Sequence, residues 1–195
     1  MAASKPTSRI FGELLRVRYD SSELDSPSKG SSWSQAVLDY EAVKRVLAAL
    51  EREGVRYVVF GAAALNFHGL ARFTEDLDLF VAPEVENVEA LKRALRSVFD
   101  DPHIDEISAD DLLGDYPAVQ YVPPSGTFHI DILVRLGEAF RYEDLEVQRL
   151  PFEELTISVA SPASLYRMKR DTVRLKDQAD AELLKERFGL GGDDS

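Results

Sequence analysis

The chain has 195 residues, enough for one domain with appendages and a sizeable buried core. Its 35 acidic and 23 basic residues give a formal net charge of -12, so most of its surface should repel nucleic-acid phosphates and anionic lipids. Cysteine is absent, which excludes a disulfide framework, a thiol nucleophile and a thiolate metal site. No apolar run approaches the length of a bilayer span and the N-terminus has no signal-peptide core, so we expect a soluble, cytoplasmic protein without membrane contact.

Composition divides the chain into three regions. Residues 1–33 are rich in Ser, Pro, Lys and Gly, which is typical of a flexible arm. The apolar periodicity that begins at residue 34 predicts a folded core over 34–160. Helical patterns continue beyond it, which predicts a helical C-terminal part over 161–195.

The first half of the core predicts alternating helices and strands. Apolar residues at spacings of three and four predict a helix over 34–50. The β-branched and aromatic run 55–60 predicts a buried strand. We then expect a helix over 62–70, a strand over 76–81 and an amphipathic helix over 88–99.

The second half predicts antiparallel pairing. The acidic segment 100–116 predicts a solvated loop or a short helix. The apolar runs 118–122 and 127–135 flank a Pro-Pro-Ser-Gly turn, which predicts a hairpin. The stretches 145–150 and 155–159 are weaker strand candidates.

Two helices are expected at the end of the chain. Ser161 and Pro162 provide an N-cap and a first-turn proline for one helix, and a second should cover about 173–188. Strands mixed with helices predict an α/β or α+β fold, with a mixed, twisted sheet flanked by helices and a helical C-terminal part.

Three carboxylates lie in the predicted strands. The period of a strand places Asp76 and Asp78 on one face and the intervening leucines on the other. Asp131 interrupts the otherwise apolar run 127–135, and on an adjacent strand, about 4.8 Å away, it could meet the other two. A D-x-D pair alone is more often a solvated strand edge, whereas three converging carboxylates favour Mg²⁺ or Mn²⁺ and phosphoryl transfer.

Gly61 separates a predicted strand from a predicted helix. A residue without Cβ lets a phosphate approach the backbone N–H groups at a helix N-terminus. An ordinary strand–helix turn explains this glycine equally well.

The segment GAAALNFHGLARFTEDLDLFV at 61–81, followed by HIDIL at 129–133, resembles the nucleotidyltransferase superfamily of the DNA polymerase beta type. Within it, the similarity is greatest to small AbiEii-like toxins and related bacterial nucleotidyltransferases. The shared pattern is a strand, a glycine turn, a helix ending in His-Gly, an R-x-T-x-D-x-D run and a later Asp on a strand. The matching residues are Gly61, His68, Gly69, Arg72, Thr74, Asp76, Asp78 and Asp131.

The resemblance implies roles for these residues. Asp76 and Asp78 would hold the metal, and Asp131 would complete the site and take the proton of the acceptor hydroxyl. Gly61 and Ala62 would lie at the nucleotide phosphates. Many members of the family have Ser or Gly where this chain has Ala62, which offers no hydroxyl.

The resemblance extends to the C-terminal part, which would close over the site. It implies that Lys169 and Asp177 face the nucleotide. Seven basic and five acidic residues over 161–188 make this segment more basic than the rest of the chain. A solvated helix face explains these charges as well as a triphosphate site does.

Other polar residues near the motif have two interpretations. Arg72 could bind a phosphate, or it could pair with Asp76 or Glu75 to hold the turn. We expect His68 to be a helix cap or a packing group. His129 should share the face of the carboxylates, where it could shape the pocket or equally well form a hydrogen bond at the strand edge.

These observations favour a metal-dependent nucleotidyltransferase that moves a nucleoside monophosphate from an NTP to a hydroxyl acceptor. The acidic chain allows few phosphate contacts, so a tRNA 3′ end ranks first as acceptor, a protein hydroxyl second and duplex DNA last. The resemblance also implies a toxin with a cognate antitoxin. The alternatives are a module of the same fold that binds without turnover, favoured by Ala62, and a metal-dependent nuclease, which leaves the Gly61 turn unexplained.

Overall fold

The computed structural model describes residues 39–114, 117–124 and 128–191. The predicted arm over 1–33 and the first residues of the predicted helix, 34–38, lie outside these ranges. The division into an arm, a core and a C-terminal part stays a prediction.

The described residues form six α-helices and eight strands. The helices are α1 (Tyr40–Arg52), α2 (Gly61–Phe67), α3 (Val85–Arg96), α4 (Ala109–Leu113), α5 (Pro162–Arg170) and α6 (Leu175–Phe188). The strands are β1 (Tyr57–Phe60), β2 (Asp76–Val81), β3 (Ala118–Tyr121), β4 (His129–Leu133), β5 (Arg135–Leu136), β6 (Phe140–Arg141), β7 (Val147–Phe152) and β8 (Leu155–Ala160). Short 3-10 helices lie at Pro102–Glu106 and Tyr142–Asp144.

Six strands form a mixed sheet in the order β3-β4-β2-β1-β8-β7. The β2–β4 and β1–β8 pairs are parallel, and the β1–β2, β3–β4 and β7–β8 pairs are antiparallel. The predicted hairpin is therefore present as β3–β4. The predicted fold class, a mixed sheet with helices, is confirmed.

Local sequence explains where the helices begin. Asp39 caps α1 by accepting a hydrogen bond from the Ala42 N–H at 3.0 Å. Ser161 caps α5 as predicted, accepting from the Ser164 N–H at 3.1 Å with Pro162 in the first turn. Among the described residues, none of the helices has the length and apolar character needed to cross a membrane.

Two predictions about the middle of the chain need correction. The described part of the segment 100–116 contains the short helix that the sequence allowed, α4, but it is not simply solvated, because Ile104 and Leu112 on its two short helices are buried in the core. The predicted strand 127–135 is also too long. The main sheet ends at Leu133, after which the Val134 N–H donates to the Pro117 carbonyl and Arg135 joins the separate β5–β6 ribbon.

The buried side chain of Asn87 connects the backbone segments at one end of the β1–β2 pair. Its amide nitrogen donates to the carbonyls of Arg56 and Ala82, both at 3.0 Å, and its oxygen accepts from the Arg56 N–H at 2.8 Å. One side chain at the start of α3 thus forms three hydrogen bonds with the backbone where β1 begins and β2 ends.

We expect Asn87→Ala to lower the free energy of unfolding by about 1 to 3 kcal/mol, because it leaves the Arg56 N–H without a partner and removes one of the two hydrogen bonds that each of the Arg56 and Ala82 carbonyls accepts. Urea denaturation measures the change. Glu86→Ala, at the exposed neighbouring position, is the control and should change stability by about 0.5 kcal/mol or less. A loss below about 1 kcal/mol for Asn87→Ala would contradict this account.

Candidate active site

The centre of the site is the exposed face of β2. Leu77 and Leu79 are fully buried, whereas Asp76 and Asp78, which alternate with them, are partly exposed. The alternation predicted from the sequence is therefore present, and the two carboxylates project from the same face.

β4 brings the third carboxylate beside this pair. The parallel register places Asp131 opposite Asp78, and His129 opposite Asp76. His129 Nδ1 lies 3.3 Å from Asp76 Oδ1, so the histidine shares the face of the carboxylates as predicted. The sequence indicated that Asp131 could meet Asp76 and Asp78 only if their strands were neighbours, and β2 and β4 are neighbours in the sheet.

Gln120 on β3 is a site residue that sequence reasoning missed. It lies opposite Asp131 in the antiparallel register, and its Nε2 donates to Asp131 Oδ1 at 2.8 Å. In the sequence, Gln120 is the one polar residue in the otherwise apolar first strand of the hairpin. Only the strand register shows that it lies opposite Asp131.

Burial and the neighbouring negative charges raise the pKa values of two carboxylates on this face, Asp78 and Asp131. Burial, followed by repulsion from Asp131 and Asp76, raises the pKa of Asp78 to about 7. The positive charge of Lys169 acts in the opposite direction. Burial also raises the pKa of Asp131, against the hydrogen bond from Gln120, which lowers it.

The carboxylates are of the ligand type that binds a divalent metal ion, but their side chains are not arranged around a common point. Among the described residues, no three His, Asp or Glu side chains are grouped so that they could hold a metal ion as they stand. Asp131 is engaged by Gln120, and Asp76 lies against His129. Carboxylate oxygens that repel one another are nevertheless ligands suited to a hard divalent cation, and the metal role of these residues stays a prediction.

Gly61 is required by Asp78. It has a φ of +64°, and a Cβ there would overlap Asp78 Oδ2 and lie 2.6 Å from Asp78 Cγ. The glycine therefore gives the aspartate its room whether or not a phosphate approaches. The predicted contact of Gly61 and the nearly buried Ala62 with a nucleotide stays a prediction.

Arg72 pairs with a residue that the sequence did not suggest. Its Nε lies 2.8 Å from Asp180 Oδ1 on α6, so the expected alternative of a pair with Asp76 or Glu75 is wrong. Asn66 fixes the backbone of Arg72 by accepting from its N–H at 2.7 Å and donating to its carbonyl at 2.9 Å. The phosphate-binding role of Arg72 stays a prediction.

Lys169 lies between two carboxylates of α6. Its Nζ is 2.9 Å from Asp177 Oδ1 and 2.9 Å from Asp180 Oδ2. Asp177 also accepts from the Thr172 hydroxyl at 3.4 Å. The two predicted residues of the C-terminal part therefore contact each other, and their role toward a nucleotide stays a prediction.

His68 has a structural role, as expected. Its Nε2 lies 2.8 Å from the Ala160 carbonyl, and its ring packs edge-on against Phe188 with 5.9 Å between centroids. The histidine thus links the end of α2 to β8 and to the last turn of α6.

Comparison with known proteins places this arrangement in a class. Residues 45–181 match the family described as "Nucleotidyl transferase AbiEii toxin, Type IV TA system". The match spans more than half of the chain, which therefore belongs to the AbiEii nucleotidyltransferase family. No curated protein sequence matches it significantly.

Three solved structures align with this chain at low sequence identity. The antibiotic-resistance factor ANT(2'')-Ia in solution aligns with a TM-score of 0.48 and 13% identity, over 76% of this chain and 83% of that one. Its crystal structure in complex with adenylyl-2''-tobramycin gives 0.48 and 14%, over 76% and 88%. A Thermotoga maritima protein described as a candidate nucleotidyltransferase gives 0.45 and 14%, over 81% and 99%.

We expect Gly61→Ala to destabilise the fold more than Gly54→Ala does, by about 1 to 3 kcal/mol, because only the former adds an overlap to the backbone strain. Gly54 is a matched control, since it has nearly the same φ, +66°, and nothing within 4 Å of its Cβ position. Thermal unfolding measures both variants. In an Asp78→Ala background the difference between the two substitutions should shrink, because only the Cβ of residue 78, 3.1 Å from the added Cβ, remains in contact. An undiminished difference would show that the carboxylate of Asp78 is not the cause.

Asp78→Asn should stabilise the metal-free fold at pH 8. Because its pKa is raised in the folded state, the penalty of charging Asp78 grows from about pH 4 to pH 7 and is complete above that range. Melting in EDTA from pH 4 to 8.5 should show the variant gaining over wild type across this window. A gain of about 1 kcal/mol corresponds to roughly 2–4 °C, and a difference that is constant with pH would contradict the raised pKa of Asp78.

Proposed function

We propose that this chain is a metal-dependent nucleotidyltransferase that moves a nucleoside monophosphate from an NTP to a hydroxyl acceptor and releases pyrophosphate. The observation that carries the proposal is the register of β2 and β4, which sets Asp131 beside Asp78 at the Gly61 turn. The family supplies the reaction class, and three carboxylates on one face supply the chemistry.

The carboxylates divide into ligands and a proton acceptor. Asp76, Asp78 and Asp131 would hold Mg²⁺ or Mn²⁺, which would activate the hydroxyl and neutralise phosphate charge. Asp131 accepts the proton of the acceptor hydroxyl, and the burial that raises its pKa makes it a stronger base. The hydroxyl oxygen bonds to the α-phosphorus, the bond from that phosphorus to the bridging oxygen breaks, and pyrophosphate leaves with the electron pair.

The cations of the site bind the nucleotide. Arg72 and Lys169 are both held beside α6 by ionic contacts, and the charge of Lys169 acts on Asp78. Guanidinium and ammonium groups are suited to phosphate oxygens. Asp177 orients Lys169, and the backbone at Gly61 and Ala62 lies at the phosphates.

Charge also ranks the acceptors. A chain of net charge -12 does not hold duplex DNA by general electrostatics. The basic residues of α5 and α6 suffice for a few phosphate contacts, which suit the single-stranded 3′ end of a tRNA first and a protein hydroxyl second. Because the family is described as a toxin of a toxin–antitoxin system, we propose a cytoplasmic toxin with a cognate antitoxin as partner.

Ala62 favours a second candidate function. Many members of the family have Ser or Gly at this position, beside the nucleotide phosphates, and the methyl carbon of alanine cannot replace a serine hydroxyl as a hydrogen-bond donor. A module that binds nucleotide without turnover would tolerate this loss more readily than an enzyme would.

Incubation with each α-labelled NTP, Mg²⁺ and either total tRNA or cell protein tests the proposal. We expect label to become covalent on RNA, and Asp131→Asn to reduce transfer by about 10²–10⁴-fold because the proton acceptor is lost. Asp110→Asn, on the exposed side of α4, is the charge-matched control and should retain wild-type transfer.

Three other outcomes have distinct meanings. Binding of MgNTP by wild type without transfer to any acceptor would establish the binding module. Release of nucleotides from RNA would establish a nuclease. Full transfer by Asp131→Asn would remove Asp131 from the chemistry.

A further inference from the structure

Asp180 is a buried carboxylate that joins three parts of the chain. Its side chain has no exposed surface, although it lies on α6 near the C-terminal end of the fold. One oxygen lies 2.8 Å from Arg72 Nε, in the loop that precedes β2, and the other lies 2.9 Å from Lys169 Nζ on α5. A single residue therefore contacts both cations that we place at the nucleotide.

Stability alone is a poor explanation for this carboxylate. Among the described residues, neither oxygen of Asp180 nor Arg72 Nε makes a hydrogen bond of good geometry, so the contacts are ionic only. Buried ion pairs contribute little net stability on average, because the cost of desolvation offsets the attraction. The more specific consequence of Asp180 is that it fixes where two positive charges lie.

The rest of the cluster leaves these cations little freedom. Lys169 is almost buried and is held by Asp177 as well as by Asp180. The backbone of Arg72 is fixed by two hydrogen bonds to Asn66. Without Asp180, Lys169 would keep one carboxylate partner, and the guanidinium of Arg72 would lose this ion pair.

We propose that Asp180 is a positioning residue, which holds Arg72 and Lys169 in the places from which they bind the nucleotide phosphates. The inference rests on the proposed function of the site. Asp180 itself touches no substrate and acts only through the two cations.

Positioning and simple electrostatics predict opposite results for Asp180→Asn. The substitution removes a negative charge close to the phosphates, so an electrostatic effect alone would tighten nucleotide binding. If Asp180 positions the cations, binding weakens although the site becomes more positive. The sign of the change therefore separates the two explanations.

The first measurement is calorimetric titration of each NTP with Mg²⁺ into Asp180→Asn. We expect binding weaker by about tenfold or more, the loss that follows when a charge-assisted contact to a phosphate is misplaced, and KM should rise by the same factor. Asp171→Asn is the matched control, since it removes the same charge from the same region at a side chain that is 82% exposed. Equal or tighter binding by Asp180→Asn would overturn the proposal.

The second measurement does not depend on nucleotide. Mild amine labelling followed by mass spectrometry should show Lys169 reacting several-fold faster in Asp180→Asn than in wild type, with the exposed Lys185 as internal reference. Unchanged labelling of Lys169 at an unchanged melting temperature would overturn the proposal. Where wild type binds no nucleotide but the labelling changes, the proposed function of the site fails while Asp180 is still shown to hold Lys169.

Asp180→Glu provides a test if the asparagine variant does not fold. It keeps the charge and displaces the carboxylate by one methylene, so a positioning role predicts weaker nucleotide binding. Wild-type affinity in a folded Asp180→Glu protein would count against the proposal.

Discussion

The parallel pairing of β2 with β4 is the constraint on which the site depends. Side chains alternate along a strand, so a slip of one residue would turn every carboxylate of one strand into the core. Leu77 and Leu79 on β2, and Ile130 and Ile132 on β4, are fully buried on the opposite side. Core packing therefore enforces the register that sets Asp131 beside Asp78, and the site needs no separate device to align its carboxylates.

The same strand register places three carboxylates that repel one another side by side, and lysines of the C-terminal helices offset part of this repulsion. Asp78 lies between its neighbours on the sheet and the turn at Gly61, and a residue larger than glycine at position 61 would overlap it. Burial, and after it the charges of Asp131 and Asp76, raises the pKa of Asp78. The opposing charges are those of Lys169 on α5 and Lys176 on α6, which both lower that pKa. A C-terminal helix pair thus compensates charge that arises in the centre of the sheet.

The sequence was sufficient wherever the decisive signal was local. Alternation identified the face of β2, the Pro-Pro-Ser-Gly turn identified the hairpin, and Ser161 identified the start of α5. It was insufficient where partners lie far apart in the chain. The only protein partners that the sequence suggested for Arg72 were Asp76 and Glu75 near its own turn, yet its ion pair is with Asp180. Residues separated by more than a hundred positions leave no periodicity that could reveal their contact, and Gln120 became a site residue only through the strand register.

Charge balance explains why the proposed reaction calls for a divalent cation as well as for the cations of the chain. Arg72 and Lys169 are already matched by Asp177 and Asp180, so this cluster is close to neutral before a nucleotide arrives. A triphosphate is strongly anionic, and it would have to approach three carboxylates that already repel one another. The paired cations can orient the phosphates, but they cannot offset both sets of negative charge. A divalent ion on the carboxylates supplies the missing positive charge at the place where the repulsion is greatest.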